Sequence, residues 1–238
     1  MTFKNPFASH HTLRTVVIGV GGNGSKLATG LKSLALALKE TKDQELEVHL
    51  IDPDVVEPQN LSRQNYYPAD LGKPKAVVLA HRINLATGLH WRAFARKATA
   101  EDLRGTDLVI TATDNRASRA LVAENLFPHQ LWLDLGNEAT HGQVVLSGMG
   151  LPTSAELWPE IADPELDEPD APSCSTLEAL FRQDLFVNDT AAILGLNLLW
   201  RLLFHGEITY HGVVFDLARG EASPIPVPAG TSLAKPSL

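Results

Sequence analysis

Gly19, Gly21 and Gly24 form the pattern G-x-G-x-x-G between an apolar, β-branched run and a stretch rich in leucine and alanine. The first glycine permits a tight turn, the second lets the backbone approach a phosphate, and the third lets a helix pack on a strand. A phosphate bound there would meet the N-terminus of that helix. The pattern predicts a nucleotide site, and a tight turn without a ligand is the alternative.

An acidic residue, Asp52, follows the next predicted strand. Its carboxylate is positioned to accept hydrogen bonds from ribose hydroxyls, or it could instead cap the end of the strand. Both a dinucleotide and ATP contain ribose. Asp52 therefore does not by itself decide which nucleotide binds.

Polar and cationic side chains follow Asp52 closely. Asn60, Arg63 and Gln64 would share one face of a helix, and Lys75, with Lys73 as a further candidate, comes next. Backbone amides are enough for the pyrophosphate of a dinucleotide, whereas the outer phosphates of ATP need side-chain cations. The cluster therefore favours ATP, and a solvated polar helix face is the alternative.

The tripeptide T-D-N, residues Thr113 to Asn115, follows a further predicted strand, at the end where open α/β sheets place ligands. The Asp114 carboxylate could hold Mg²⁺ on the phosphates. Asp114 or Asn115 could instead cap the following helix. Arg116 and Arg119, one helical turn apart, would face either a ligand or solvent.

A regular alternation of strands and helices positions these side chains. It predicts parallel pairing with right-handed crossovers, and so a Rossmann-like α/β fold with a mostly parallel sheet and helices on both faces. The predicted strands are Thr15–Val20, Leu46–Ile51, Trp91–Lys97, Asp107–Ala112, Leu131–Leu135 and Gln143–Gly148, and the predicted helices are Lys26–Glu40, Lys73–Leu89 and Asn115–Phe127.

The second half of the chain differs in character. Residues 151–173 contain seven acids, five prolines and no lysine or arginine, which predicts a long loop with little packed structure. Helices are expected at Thr176–Gln183 and Asp189–His205, with a last strand at Ile208–Phe215. The predicted organisation is an N-terminal segment (1–14), a nucleotide-binding α/β core (15–150), an acidic Pro-rich crossover loop (151–175), helices and a strand that complete the same domain (176–220), and a mobile tail (221–238).

The composition of the chain excludes several classes of protein and of binding site. The 238 residues, 44% of them hydrophobic, suit one domain with a sizeable core, and the net charge of -8 argues against a general nucleic-acid binder. The single cysteine, Cys174, excludes an intrachain disulfide and a cysteine-cluster zinc site. No run reaches the length of a membrane span, and Met1 to Arg14 lacks the apolar centre of a signal peptide, so we expect a cytoplasmic protein.

Four motifs in order resemble the ThiF/MoeB superfamily of adenylating enzymes, which includes the ubiquitin-activating enzymes. They are G-V-G-G-N-G, I-D-P-D-V-V-E-P-Q-N-L-S-R-Q, L-G-K-P-K-A and A-T-D-N-R, and the resemblance covers about Thr15 to Leu203. The stretch P-S-C-S-T-L-E-A-L-F-R-Q-D-L-F-V-N is similar to the ThiF-like proteins of bacterial PRTRC gene clusters.

In enzymes of this superfamily, ATP reacts with the C-terminal carboxylate of a small ubiquitin-like or sulfur-carrier protein, which gives an acyl adenylate and pyrophosphate. The resemblance implies that Asp52 contacts ribose and that Asp114 binds Mg²⁺. The implied catalytic residues are Arg63, Lys75, Asp114 and Cys174. The implied nucleotide-binding residues are Gly19, Gly21, Gly22, Gly24, Asp52, Asp54, Asn60, Arg63, Gln64, Lys75, Thr113, Asp114 and Asn115.

Cys174 lies where many members of the superfamily carry a cysteine that forms a thioester or becomes persulfidated. It precedes a predicted helix, whose dipole would lower the pKa of the thiol, but free cysteines also serve as small buried hydrophobes. Relatives often have two C-x-x-C pairs for structural zinc, and this chain lacks them, so no zinc is expected. Relatives also supply an arginine from well before the first strand, whereas Arg14 adjoins that strand and looks badly placed. A homodimer is expected from the resemblance.

Three other functions are compatible with parts of the sequence. Some relatives activate a modified base in tRNA, although the acidic net charge disfavours a nucleic-acid partner. A catalytically degenerate nucleotide-binding scaffold would be consistent with the missing upstream arginine. A nicotinamide dehydrogenase is disfavoured by the polar cluster that follows Asp52.

Overall fold

The computed structural model describes residues 1–167 and 183–231. The strands are β1 (Phe3–Lys4), β2 (Thr12–Ile18), β3 (Glu45–Ile51), β4 (Arg92–Phe94), β5 (Leu108–Thr111), β6 (Leu131–Asn137), β7 (His141–Ser147), β8 (Glu207–Ile208), β9 (Tyr210–Asp216) and β10 (Glu221–Pro226). The helices are α1 (Gly22–Lys42), α2 (Lys75–Thr87), α3 (Arg116–Asn125), α4 (Ser154–Leu157) and α5 (Val187–Leu203), and short 3₁₀ turns occur at Pro58–Asn60, Pro68–Asp70, Ala100–Leu103, Pro159–Ala162 and Pro164–Leu166.

One large sheet organises the fold, with the strand order β10-β9-β7-β6-β5-β2-β3-β4. Strands β6, β5, β2, β3 and β4 pair in parallel, and β7, β9 and β10 extend the sheet with antiparallel pairs. The predicted Rossmann-like α/β fold with a mostly parallel sheet is therefore confirmed. The chain leaves β2 toward β3 on one side and later returns to β5 on the other. In such sheets this switch point opens a crevice at the carboxyl ends of the strands.

Alternate side chains of β2 face opposite sides of the sheet. Leu13 and Val17 belong to a large apolar cluster that also contains residues of α1, α2 and α5. Val16 and Ile18 belong to a second cluster, which contains Val122 of α3. Helices consequently cover both faces of the sheet, and the glycine turn that follows β2 is held between two packed layers.

Strand β7 corrects one expectation, because its pairing with β6 is antiparallel. Residues 138–140 are the whole connection between the two strands. So short a connection makes a hairpin, whereas a parallel pair needs a crossover of a dozen or more residues. The strand itself was predicted, at Gln143–Gly148, but alternation with helices ends after β6.

The region after residue 150 contains more regular structure than the sequence predicts. The acidic segment forms α4 and two 3₁₀ turns before residue 167, so the expectation of an irregular loop is wrong for that part. The expected mobile tail is wrong for Glu221–Pro226, which form β10 on the edge of the sheet. The predicted helix Thr176–Gln183 lies, except for Gln183, outside the described residues. No helix in the two described stretches is long and apolar enough to cross a membrane.

Candidate active site

A cavity of about 850 Å³ opens at the carboxyl ends of the central parallel strands. It is lined by every predicted nucleotide-binding residue except Gly24: Gly19, Gly21, Gly22, Asp52, Asp54, Asn60, Arg63, Gln64, Lys75, Thr113, Asp114 and Asn115. Residues far apart in sequence thus meet at the switch point. The volume lies within the range of small-molecule and cofactor sites.

The glycine turn joins β2 directly to α1. Gly19 has a φ of 86°, in the region that favours glycine. A Cβ on Gly24 would lie 2.0 Å from the carbonyl oxygen of Gly19, so Gly24 serves the packing of the helix on the turn and not the cavity lining. Gly21 precedes α1 and provides no side-chain cap, so the first amides of α1 keep their capacity to bind an anion.

Asp52 connects the glycine turn to the loop after β3. It is 4% exposed, and its carboxylate accepts hydrogen bonds from the backbone N–H of Val20 at 2.7 Å and of Asp54 at 2.9 Å. Burial raises the pKa of Asp52, and the two backbone donors oppose that rise. Tyr66 donates its hydroxyl to the carbonyl of Val20 at 2.7 Å. The capping role of Asp52 is therefore present, and the residue also lines the cavity.

Lys75 is a buried cation, 6% exposed, at the start of α2. Its ammonium group lies 2.9 Å from the carboxylate of Asp54, whose side chain is exposed. Lys73 behaves differently, because it is exposed, donates to the carbonyl of Ala69 at 2.8 Å and is not part of the lining. The structure thus brings Lys75, and not Lys73, into the cavity.

The polar cluster after Asp52 lies on tight turns and not on the continuous helix that its spacing allowed. Asn60 ends a 3₁₀ turn, and its side-chain oxygen accepts from the backbone N–H of Glu57 at 2.8 Å. The N–H of Gln64 donates to the carbonyl of Asn60 at 2.9 Å, which keeps Arg63 and Gln64 close to that turn. Burial lowers the pKa of Arg63 from its usual value.

The T-D-N turn resolves one of the alternatives left open by the sequence. The side-chain oxygen of Asn115 accepts from the N–H of Ser118 at 3.0 Å and caps α3. Asp114 is exposed, and no group in the described part of the chain donates to its carboxylate. The described residues contain no group of three or more His, Cys, Asp or Glu arranged for a metal ion. Mg²⁺ on nucleotide phosphates needs only one or two protein carboxylates.

Arg119 forms a buried ion pair that the sequence analysis missed. It is 6% exposed, and its Nε lies 3.0 Å from the carboxylate of Asp134 within β6. It also donates from Nη2 to the carbonyl of Leu135 at 3.1 Å, and Thr111 donates its hydroxyl to Asp134. The alternative of a solvent-facing Arg119 is therefore wrong. The charged residue inside the apolar run L-W-L-D-L was the signal that could have found the pair.

Arg116 fastens the acidic segment to the rim of the cavity. The carboxylate of Asp167 accepts from the backbone N–H of Arg116 at 2.9 Å and of Ala117 at 3.1 Å, at the start of α3. The Arg116 guanidinium donates to the carbonyls of Leu166 at 2.8 Å and Glu160 at 3.1 Å. The segment before residue 168 is thereby held against α3.

Arg14 and Asn188 differ in their relation to the cavity. Arg14 lies within β2 and not before it, is exposed, lies 3.9 Å from Glu47 and is not part of the cavity lining. Cys174 lies outside the described residues. Asn188, at the start of α5, is the last residue of the stretch similar to the PRTRC-associated proteins, and it lines the cavity although no site role was predicted for it.

The chain matches the sequence model of the ThiF family over residues 8–197. The structure of E. coli MccB with ATP is similar, with a TM-score of 0.57 and 15% sequence identity, covering 96% of this chain and 67% of that chain. E. coli MccB with AMPCPP and MccA has a TM-score of 0.60 and 17% identity, covering 97% and 68%.

A structure of PaaA has a TM-score of 0.59 and 16% identity, covering 93% of this chain and 65% of that chain. The chain thus spans less than two thirds of the length of PaaA and about two thirds of the length of MccB. These likenesses show a shared fold.

Proposed function

Because the chain belongs to the ThiF family, we propose that it uses ATP to adenylate the C-terminal carboxylate of a small ubiquitin-like or sulfur-carrier protein. One observation carries this proposal: a single cavity holds the glycine turn, the cations Arg63 and Lys75, and the carboxylate of Asp114. The E. coli MccB structures contain ATP in one case and AMPCPP with MccA in another, which supports a nucleotide beside a second substrate.

The distribution of acidic and cationic groups in the cavity would fix the orientation of ATP. Ribose hydroxyls would face Asp52, and the phosphates would follow Gly21 and Gly22 toward the N-terminus of α1. Arg63 and Lys75 would then neutralise the β- and γ-phosphates. Because Asp54 is exposed, its carboxylate can turn into water when a phosphate replaces it beside Lys75.

Asp114 is the residue that fits Mg²⁺. Asn115 already caps α3, which leaves the exposed Asp114 carboxylate without a structural partner among the described residues. A carboxylate that faced a triphosphate with no cation between them would repel it, so the chemistry of the site favours a metal there. When bound, Mg²⁺ would neutralise phosphate oxygens.

The proposed reaction is an in-line displacement. An oxygen of the substrate carboxylate bonds to the α-phosphorus, the bond from that phosphorus to the β-phosphate oxygen breaks, and pyrophosphate leaves with the electron pair. The products are an acyl adenylate and pyrophosphate. Fixed cations contribute most when charge develops on the leaving group, because they need no reorganisation at that moment.

Three finer proposals rest on the resemblance stated above. The Cys174 thiolate attacks the acyl carbonyl, AMP leaves and a thioester remains. Two copies of the chain form a homodimer. The chain belongs with the PRTRC-associated ThiF proteins, on a motif that lies largely outside the described residues.

Exchange of labelled pyrophosphate into ATP tests the adenylation. The assay contains the enzyme, MgATP and a ubiquitin-like protein that ends in Gly-Gly, and the control is the same protein with an amidated C-terminus. We expect exchange with the free carboxylate only, and loss of exchange in Asp114→Asn. Exchange at background level with a panel of such proteins, or equal exchange with the amide, would contradict the proposal.

A further inference from the structure

Two helix N-termini meet at the cavity. A Cβ on Gly22 of α1 would lie 2.7 Å from the side-chain oxygen of Asn188 in α5, and a Cβ on Gly30 would lie 2.2 Å from Leu196. These contacts advance in the same direction along both helices, so α1 and α5 run parallel. Since Gly22 and Asn188 both line the cavity, both N-terminal ends point toward the same ligand space.

Asn188 carries a buried side-chain amide at the start of α5. It is 4% exposed, and no described residue hydrogen-bonds to its side chain. Buried amides are nearly always hydrogen-bonded, and leaving one unsatisfied is costly. Because this amide lines the cavity, a ligand bound there could supply its missing hydrogen-bond partner.

The surrounding charges specify an anion. Neither α1 nor α5 has a side-chain cap. The N–H of Val187 donates to the carbonyl of Asp184 at 3.3 Å, and the next amides of α5, like the first amides of α1, keep their capacity to donate. Lys26 lies 3.0 Å from Asp189 and balances the acidic residue in the first turn of α5. Two helix N-termini and the Asn188 amide then provide hydrogen-bond donors at this point of the cavity, which suits phosphate oxygens.

The position along the glycine turn indicates which phosphate. Asp52 contacts Val20 at the beginning of the turn, whereas Asn188 contacts Gly22 at its end. We propose that Asn188 donates to the terminal phosphates of ATP, between the N-termini of α1 and α5. This inference rests on the proposed function, because it presumes that ATP occupies the cavity. It gives the segment after the acidic loop a direct part in nucleotide binding.

Equilibrium binding of ATP and AMP to the full chain, by calorimetry, tests the inference. Asn188→Ala should weaken ATP about tenfold, the loss expected for one hydrogen bond to a charged group, and leave AMP unchanged. Asn188→Asp, which keeps the shape of the side chain and adds a negative charge, should weaken ATP further and again leave AMP unchanged.

Asn197→Ala is the matched control. Asn197 lies on the exposed side of the same helix and donates to the hydroxyl of Tyr210 at 3.1 Å, so its loss should change neither affinity. If both Asn188 variants bind ATP like the wild type, the inference is wrong and the proposed function stands. If they lose ATP and AMP equally, Asn188 has only a packing role. If the wild-type protein binds no ATP, the proposed function fails and the inference fails with it.

Discussion

Lys75 and Lys73 are close in sequence but differ in environment, and this makes them a natural pair of variants. Lys75 is buried in the cavity lining beside Asp54, whereas Lys73 is exposed and contacts a backbone carbonyl. Lys75→Ala should lower kcat/KM for pyrophosphate exchange about 100-fold or more, as expected when one fixed donor to a developing charge is lost.

Lys73→Ala should leave that kcat/KM within about twofold of the wild type, because an exposed lysine outside the cavity contributes little to catalysis or stability. The two assays share enzyme preparation and substrates. Similar losses in both variants would show that general positive charge near α2, and not the Lys75 contact, governs the reaction.

His211 gives the protein a pH-dependent stability. Burial lowers the pKa of His211 from its ordinary value of 6.5, and the contact of Nδ1 with the carbonyl of Leu146 at 2.9 Å opposes that shift. The unfolded chain therefore takes up a proton at a higher pH than the native chain does. Stability contributed by the neutral ring is present above pH 6.5 and is lost as the pH falls through that value.

Thermal unfolding between about pH 8 and about pH 5 measures this effect. The Tm of His211→Gln should fall less steeply toward low pH than that of the wild type, whatever its absolute Tm. His141→Gln, which changes an exposed histidine, should keep the wild-type slope. If Tm falls equally steeply with pH in the wild type and in His211→Gln, His211 does not cause the loss of stability at low pH.

At the scale of elements, the glycines of α1 and α5 have different tasks. A Cβ on Gly24 would lie 2.0 Å from the backbone carbonyl oxygen of Gly19, which cannot move without opening the turn. A Cβ on Gly195 would meet the side chains of Leu27, Leu133 and Leu135 at 3.4 Å or more, which is ordinary contact. The first position excludes a side chain, and the second accepts one.

Gly24→Ala should therefore reduce the free energy of unfolding by about 3 kcal/mol or more, because of overpacking against backbone. Gly195→Ala should be neutral or stabilising by up to about 1 kcal/mol, because alanine favours a helix over glycine. Urea unfolding of both variants measures the difference. Equal effects would mean that the close approach at the glycine turn relaxes at little cost.

The elements also show where sequence patterns are informative. Strands β2, β3, β5 and β6 are apolar runs bounded by turns, and the helices between them show clear periodicity, so both were predictable. Strand β10 was not, because it contains Pro224 and Pro226 and lies mostly exposed on a sheet edge, where its pairing with β9 holds it. Local pattern cannot reveal pairing of that kind.

The site was predictable to a similar extent. Residues that follow strand ends, such as Asp52 and Asp114, are brought together by the topology that the pattern itself predicts. Asn188 was not predictable, because its role depends on how α5 packs on the glycine turn more than 160 residues earlier in the chain. The ion pair between Arg119 and Asp134 was likewise not predictable, because it depends on how deeply Asp134 is buried in the sheet.

At the scale of the whole molecule, the proposed reaction separates into adenylation in the described cavity and acyl transfer to Cys174. The cavity is lined by every predicted nucleotide-binding residue except Gly24. The two stages should separate by mutation, because the first needs the groups that bind ATP and the second needs the Cys174 thiol. Cys174→Ala should retain the wild-type rate of pyrophosphate exchange within about twofold, because the transition state of adenylation is stabilised by the cations of the cavity and not by the thiol.

The same variant should lose any covalent adduct with the ubiquitin-like protein that is cleaved by a thiol reagent. The chain has a single cysteine, so no other residue can form an intramolecular substitute for that thioester. Non-reducing and reducing gels after incubation with MgATP and the carrier measure the adduct, with Cys174→Ser as a second variant that can form only an ester stable to thiols. If a thiol-sensitive adduct persists in Cys174→Ala, it forms without Cys174, and the proposed acyl transfer to this residue is wrong.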